Sequence, residues 1–250
     1  ADYYYGDAPV VADKNTYARY AEMRQKNQQL TVQTGLQKRF NDAFLSKVGV
    51  SYSEYYFDIN LKMAEAVGAK TLAPVYGADS HTGLLSAYIS NSWEWNRWMT
   101  FNFGVNSEYF RLNKEATIEP RAALQWNPSY ANSFSLGYGM HSKLEKMDVY
   151  FYKDENGNYV NKDLDMSKAQ HFLLSWMHRF SDKVNMRVET YYQSLYDLPV
   201  ENDINSTYCV INRREYYVDK ALNNQGKGRN YGIDVTLERY MSGGWYGSVN

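Results

Sequence analysis

No stretch of this chain approaches the roughly 18 consecutive apolar residues that a transmembrane helix requires. One cysteine, Cys209, excludes an internal disulfide and reads as an incidental thiol in a loop. A net charge of −1 leaves no basic stripe for nucleic acid. The histidines His81, His141, His171 and His178 show neither H-x-x-x-H nor H-E-x-x-H spacing, so no metal site is expected. G-x-S-x-G, C-x-x-C and a phosphate-cradling glycine loop are also missing, which leaves no cofactor motif and no reason to expect an enzyme. His141 stands beside Ser142, but neighbours on a strand point to opposite faces and cannot form a Ser–His pair. Asp154-Glu155-Asn156-Gly157-Asn158 alternates oxygen ligands as a calcium loop does. Its sixth position is Tyr159 where the sharp turn needs glycine, so a plain Asn-Gly hairpin turn is expected instead.

What the chain does have is aromatic residues and alternation. Tyrosine reaches 25 of 250 residues, with six tryptophans and ten phenylalanines. Tyr and Trp suit a membrane interface, where one end of the ring is apolar and the other wet. A soluble Tyr-rich sheet would share that composition, because aromatics favour strands in general. The mean hydropathy of −0.64 does not separate the two, since only every second residue of a barrel strand faces lipid.

Eight or nine segments alternate apolar and polar residues for about ten positions each. Met99, Phe101, Phe103, Val105 and Tyr109 share one parity; near the end Tyr231, Ile233, Val235 and Leu237 do the same. Such segments have one greasy wall and one wet wall. Strands are expected near 29–40, 44–62, 80–93, 98–112, 117–126, 134–141, 169–180, 184–194 and 228–240. In the second, Val48, Val50 and Tyr52 hold one parity and Tyr55, Phe57, Ile59 and Leu61 the other, which predicts a β-bulge at Ser53-Glu54. The connectors near 41, 95, 129, 182 and 243 are tight. Those at 63–79, 144–168 and 195–227 are long, so the two kinds fall at opposite rims. Trp93, Trp95, Trp98, Trp126 and Trp245 lie at or beside the tight turns, with Trp176 a few residues away. Tryptophan sorted to one rim is what an interfacial girdle predicts.

These features predict an all-β, antiparallel, up-and-down transmembrane β-barrel segment of about ten strands, with outer-membrane lipid outside and a polar lumen inside. Glu119, Arg121, His141, Arg187, Glu189, Asp234 and Glu238 fall on inward parities and are the candidate lumen-facing residues. For each of them, solvation of one sheet face is an equally good account. The chain begins Ala1-Asp2-Tyr3, and Trp245–Asn250 is too short to cross a bilayer, so a slice of a larger barrel is expected. Residues 1–28 would be an external loop and 29–250 partial barrel. A passive porin-like barrel and a soluble β-sheet carbohydrate-binding module with Tyr-rich loops stay open as alternatives.

Several strings carry a family likeness. They are Thr117-Ile118-Glu119-Pro120-Arg121, Leu136-Gly137-Tyr138-Gly139-Met140-His141-Ser142, Ser167-Lys168-Ala169-Gln170-His171-Phe172, the run 191–200 from Tyr191-Tyr192-Gln193 to Leu198-Pro199-Val200, and the run 228–239 around Gly232-Ile233-Asp234-Val235. Together they resemble the barrel of TonB-dependent outer-membrane receptors, in the form common among Bacteroidetes. The resemblance implies a barrel of about 22 strands around an N-terminal plug domain. It further implies TonB-powered import of a scarce nutrient, such as a siderophore, cobalamin, a peptide or a glycan. The long loops would be extracellular and capture ligand, the short turns periplasmic, and the charged lumen residues would meet the plug. Neither the plug nor the TonB-contacting segment is in this sequence.

Overall fold

The computed structural model describes residues 21–65, 71–203, 205–213 and 217–250, with the backbone of three short strands before them. Those are Asp2–Tyr3 (β1), Asp7–Pro9 (β2) and Tyr17–Arg19 (β3). They are followed by Ala21–Asn41 (β4), Phe44–Ala64 (β5), Leu72–Asn96 (β6), Met99–Phe110 (β7), Glu115–Trp126 (β8) and Asn132–Lys143 (β9). A short helix, Met147–Tyr150 (α1), then precedes Ser167–Ser181 (β10), Val184–Glu201 (β11), Leu222–Ser242 (β12) and Trp245–Val249 (β13). From β4 to β13 every strand pairs antiparallel with its sequence neighbours, and β1 adds to the free side of β4. The result is an all-β up-and-down barrel segment.

One wall is apolar over a continuous band. Leu36 is 76% exposed, Ile118 68% and Ile233 69%, and apolar pairs face each other across the ladders on the same wall: Val48 opposite Leu36, and Val188 opposite Val235. A soluble protein buries such a band, because each exposed leucine-sized side chain forgoes about 1.5–3 kcal/mol. Facing lipid, the band is at home. The tryptophans gather at the tight-turn end of it. Trp93 and Trp95 stack at 6.1 Å between centroids, Trp126 packs on Phe134 at 5.5 Å, and Phe134 on Trp176 at 6.5 Å.

β11 runs on to Glu201 and β12 begins at Leu222, so the connector expected at 195–227 is shorter. Three other differences from the sequence expectation share one reason. There is no bulge at Ser53-Glu54: the ladder runs unbroken through Thr31–Ser53 and Leu30–Glu54 on one side and Ser53–Leu84 and Glu54–Gly83 on the other. What changes there is which wall is apolar. Below Ser53 the outward residues Val48, Val50 and Tyr52 are exposed to lipid; above it the inward residues Phe57, Ile59 and Leu61 are buried under a loop. The outward residues above it, Glu54, Tyr56 and Asp58, are polar because they stand clear of the lipid. For the same reason residues 21–28 are strand where a loop was expected, with Glu22, Arg24, Lys26 and Gln28 on the outward parity. Residues 72–79 are likewise strand, so the expected long connector at 63–79 is short. Pro74 is tolerated there because it sits at the one register shift between β5 and β6, where a missing N–H costs least.

Gly104 marks the closest strand approach. A Cβ there would lie against the carbonyl oxygen of Ile89 on β6 and 3.0 Å from the Cα of Ser90, both backbone atoms that cannot swing aside. Gly104→Val is expected to cost about 1–3 kcal/mol or more by overpacking. It should weaken the heat-modifiable folded band of the full-length protein on gels. Gly247→Ala, where a Cβ meets nothing, should leave that band unchanged. Equal behaviour of the two variants would contradict the close approach.

Candidate lumen wall and loop cap

All seven sequence-derived candidates lie on the parity opposite the lipid band, in two groups. Glu119, Arg121 and His141 form the first, on β8 and β9. Arg121 pairs with Gly139 across the ladder, and its guanidinium donates to Glu119 at 2.8 Å. The His141 ring lies 4.8 Å from that of His171, and Gln193 lies 3.4 Å from His171 Nδ1. Arg121, His141, His171 and Gln193 line, with Tyr88 and Tyr191, an open concavity of about 670 Å³. Arg187, Glu189, Asp234 and Glu238 form the second group, on β11 and β12. Glu189 stands directly opposite Asp234, Arg187 opposite Thr236, and Glu238 opposite Asn185. Like charges facing each other across a ladder are unfavourable. Among the described residues none of these four is in an ion pair.

Glu119 differs from the rest because its carboxylate is already used within the wall. The β8–β9 ladder stops at Arg121–Gly139, next to Pro120, which has no N–H to give. Beyond that point the strands part, and the Glu119 side chain fills the seam. It accepts the backbone N–H of Ser142 at 2.9 Å, the Ser142 hydroxyl, Asn106 Nδ2 at 3.1 Å and Arg121. At 2% exposure it is a seam filler, a role that parity alone does not distinguish from a lumen charge. The Ser142 hydroxyl accordingly bonds to Glu119 and not to His141.

Above the lumen wall, two connectors fold inward and pack together. Residues 144–166, which include α1, bury Val149, Tyr150, Phe151, Leu164 and Met166; residues 202–221 contribute Val210 and Val218. Both rest on the inward residues Met23, Phe57, Ile59, Leu61, Tyr76 and Phe110 of β4–β7. The pin between them is Asn161, fully buried. Its amide donates to the carbonyls of Val149 (3.1 Å) and Lys220 (2.9 Å), and its oxygen accepts Leu222 N–H at 2.8 Å. Arg213 reaches buried Asp148 at 3.2 Å. Burial pushes the Asp148 carboxyl above its ordinary range, and the Arg213 guanidinium pulls the other way. At the tip, Asp154 accepts the backbone N–H groups of Asn156 (3.0 Å) and Asn158 (2.8 Å), with Gly157 at φ +81°. That is the expected Asn-Gly hairpin turn, closed by the Lys153–Tyr159 bridge.

An outward apolar band, an inward charged wall and loops folded into the mouth describe the wall of a membrane barrel. The family model for "TonB dependent receptor-like, beta-barrel" proteins matches residues 1–250. The chain belongs to this family. No curated protein matches its sequence. Among solved structures, P. aeruginosa FpvA bound to heterologous pyoverdines is similar at a TM-score of 0.64 and 13% identity, over 98% of this chain and 34% of that one. The FrpB iron transporter of Neisseria meningitidis gives 0.59 and 13%, over 89% and 35%. The RagAB peptide transporter gives 0.60 and 14%, over 89% and 28%. At these identities the likeness is one of fold. This TonB-dependent receptor barrel segment spans about a third of the length of those chains.

In this TonB-dependent receptor segment, sequence reading missed His171, Tyr191 and Gln193 as neighbours of His141. The alternation of β10 is blurred by Leu173, which faces inward between Phe172 and Leu174, so the parity of His171 could not be read locally. It also missed Asn161, Asp148 and Arg213, whose partners lie 12 to 65 positions away. No local pattern signals such pairs.

Proposed function

We propose that this chain is wall and mouth of an outer-membrane importer of the Bacteroidetes form, in which extracellular loops capture a scarce nutrient and an N-terminal plug fills the lumen. The supporting observation is the inward wall. Arg121, His141, Arg187, Glu189, Asp234 and Glu238 present charge or hydrogen-bonding capacity toward the lumen, and the facing acids Glu189 and Asp234 have no ion pair among the described residues. A plug carrying lysine or arginine at that height would meet them. The short turns would then be periplasmic and the packed connectors extracellular.

The test is growth of a deletion strain and of a TonB-deficient strain on single limiting nutrients drawn from ferric siderophores, cobalamin, peptides and glycans. Loss of growth on the same nutrient in both strains is expected. Uptake that persists without TonB, or passive leakage of small sugars through the full-length protein in vesicles, would replace this reading with a porin. Folding of the protein in plain buffer would favour the soluble module.

A further inference from the structure

The two edges of the lipid band treat outward-facing charge differently. At the edge toward the long connectors, Arg111 is paired with Glu54 at 2.5 Å and Arg24 with Asp58 at 3.7 Å, with His81 also on Glu54, while Lys26 and Arg229 have no ion pair among the described residues. At the tight-turn edge no outward-facing cation is matched in this way among the described residues. Lys38 on β4, Arg97 in the β6–β7 turn and Arg239 on β12 have no carboxylate partner among the described residues. Each is laid on an aromatic ring instead. Lys38 Nζ is 5.0 Å from the centroid of Phe40, Arg97 Cζ 4.4 Å from that of Trp98, and Arg239 Cζ 3.6 Å from that of Trp245. Arg239 Nε is moreover buried without a hydrogen-bond acceptor. The strand positions facing outward at this edge carry no acid; Glu94 and Glu238 both fall on the inward parity.

A ring stack fixes a cation in place without neutralising it, and leaves its outer N–H donors available. Beside each cation the wall is apolar: Leu36 near Lys38, Met99 near Arg97, Leu237 near Arg239. We propose that this edge seats anionic glycerophospholipids, with a phosphate oxygen on each of Lys38, Arg97 and Arg239 and the acyl chains lying along the adjoining band. Charge complementarity carries the choice of occupant, and a basic residue at a lipid surface is worth about fivefold in anionic-lipid binding. The choice of glycerophospholipid over the phosphorylated glycolipid of the opposite leaflet rests on the periplasmic placement of the tight turns proposed above.

The experiment is native mass spectrometry of the full-length receptor, released from detergent with added phosphatidylglycerol, phosphatidylcholine or lipid A. Wild type is expected to retain phosphatidylglycerol over phosphatidylcholine, and K38Q, R97Q and R239Q each to lower that preference by about fivefold. Unshifted heat-modifiable migration would show that the variants are folded. Equal retention of phosphatidylglycerol and phosphatidylcholine by wild type, or a preference untouched in the triple variant, would overturn the proposal. So would stronger retention of lipid A than of phosphatidylglycerol. Failure of the importer reading in favour of a porin would appear in the growth and leakage assays and would leave the lipid preference intact.

Discussion

Asn161→Leu should release both long connectors while the barrel beneath them stays folded. The substitution keeps roughly the same volume but removes three hydrogen bonds, to Val149, Lys220 and Leu222, all in a buried setting. Each backbone group left without a partner costs about 1–3 kcal/mol. Even with water reaching part of the site, about 3 kcal/mol is lost from a cap that no disulfide holds. Limited trypsin digestion of the full-length receptor provides the measurement, because Lys146, Lys153, Lys162 and Lys220 all lie in the two connectors. Wild type should resist cleavage there. The variant should be cut rapidly at these sites with its heat-modifiable migration unchanged. Equal resistance would mean that Asn161 does not hold the cap.

The second large effect is expected at Glu119. Replacing it with alanine empties the seam beside Pro120 and strands the Ser142 N–H and hydroxyl, the Asn106 amide and one arm of Arg121. The loss should be about 3 kcal/mol or more, read as a lower urea midpoint for the folded band of the full-length protein. Glu119→Gln retains an acceptor for Ser142 but turns an amide toward Asn106 and Arg121, and should cost about half as much. An unchanged midpoint for Glu119→Ala would show that the seam closes without it. Because Glu119 serves the wall, Arg121→Ala should affect stability less than Glu119→Ala, as the arginine side chain is 47% exposed.

The contrast between Glu119 and Glu189 shows how far the sequence could be read. Both were assigned by parity to the face opposite the apolar band, and both lie on that face, since alternation is a property of the strand itself. Whether an inward carboxylate is spent or available depends on its neighbours across the ladder. For Glu119 the deciding neighbour is Ser142, 23 positions away, brought near by the departure of β9 from β8. The misread bulge has a related origin. Phe57, Ile59 and Leu61 are apolar because a connector some ninety residues later lies on them, and a window centred on residue 55 cannot hold that information. The tight turns and their tryptophans were legible because both are local chemistry. The packed connectors were not, because their order comes from tertiary burial and from one asparagine.

The strands are not equally tall. β4 and β5 have 21 residues each, whereas β7, β8 and β9 have 12 each. At about 3.3 Å per residue, the shorter three stop roughly 30 Å of chain below their neighbours. The wall therefore has a notch on the β7–β9 side, and residues 144–166 stand in it: Asn113 bonds to Leu164 O at 2.7 Å, and Met166 N–H to Glu115 at 2.6 Å. The connector that reads as a lid from above is masonry from the side. Its removal would open a window in the flank of the barrel wall, close to the lipid surface.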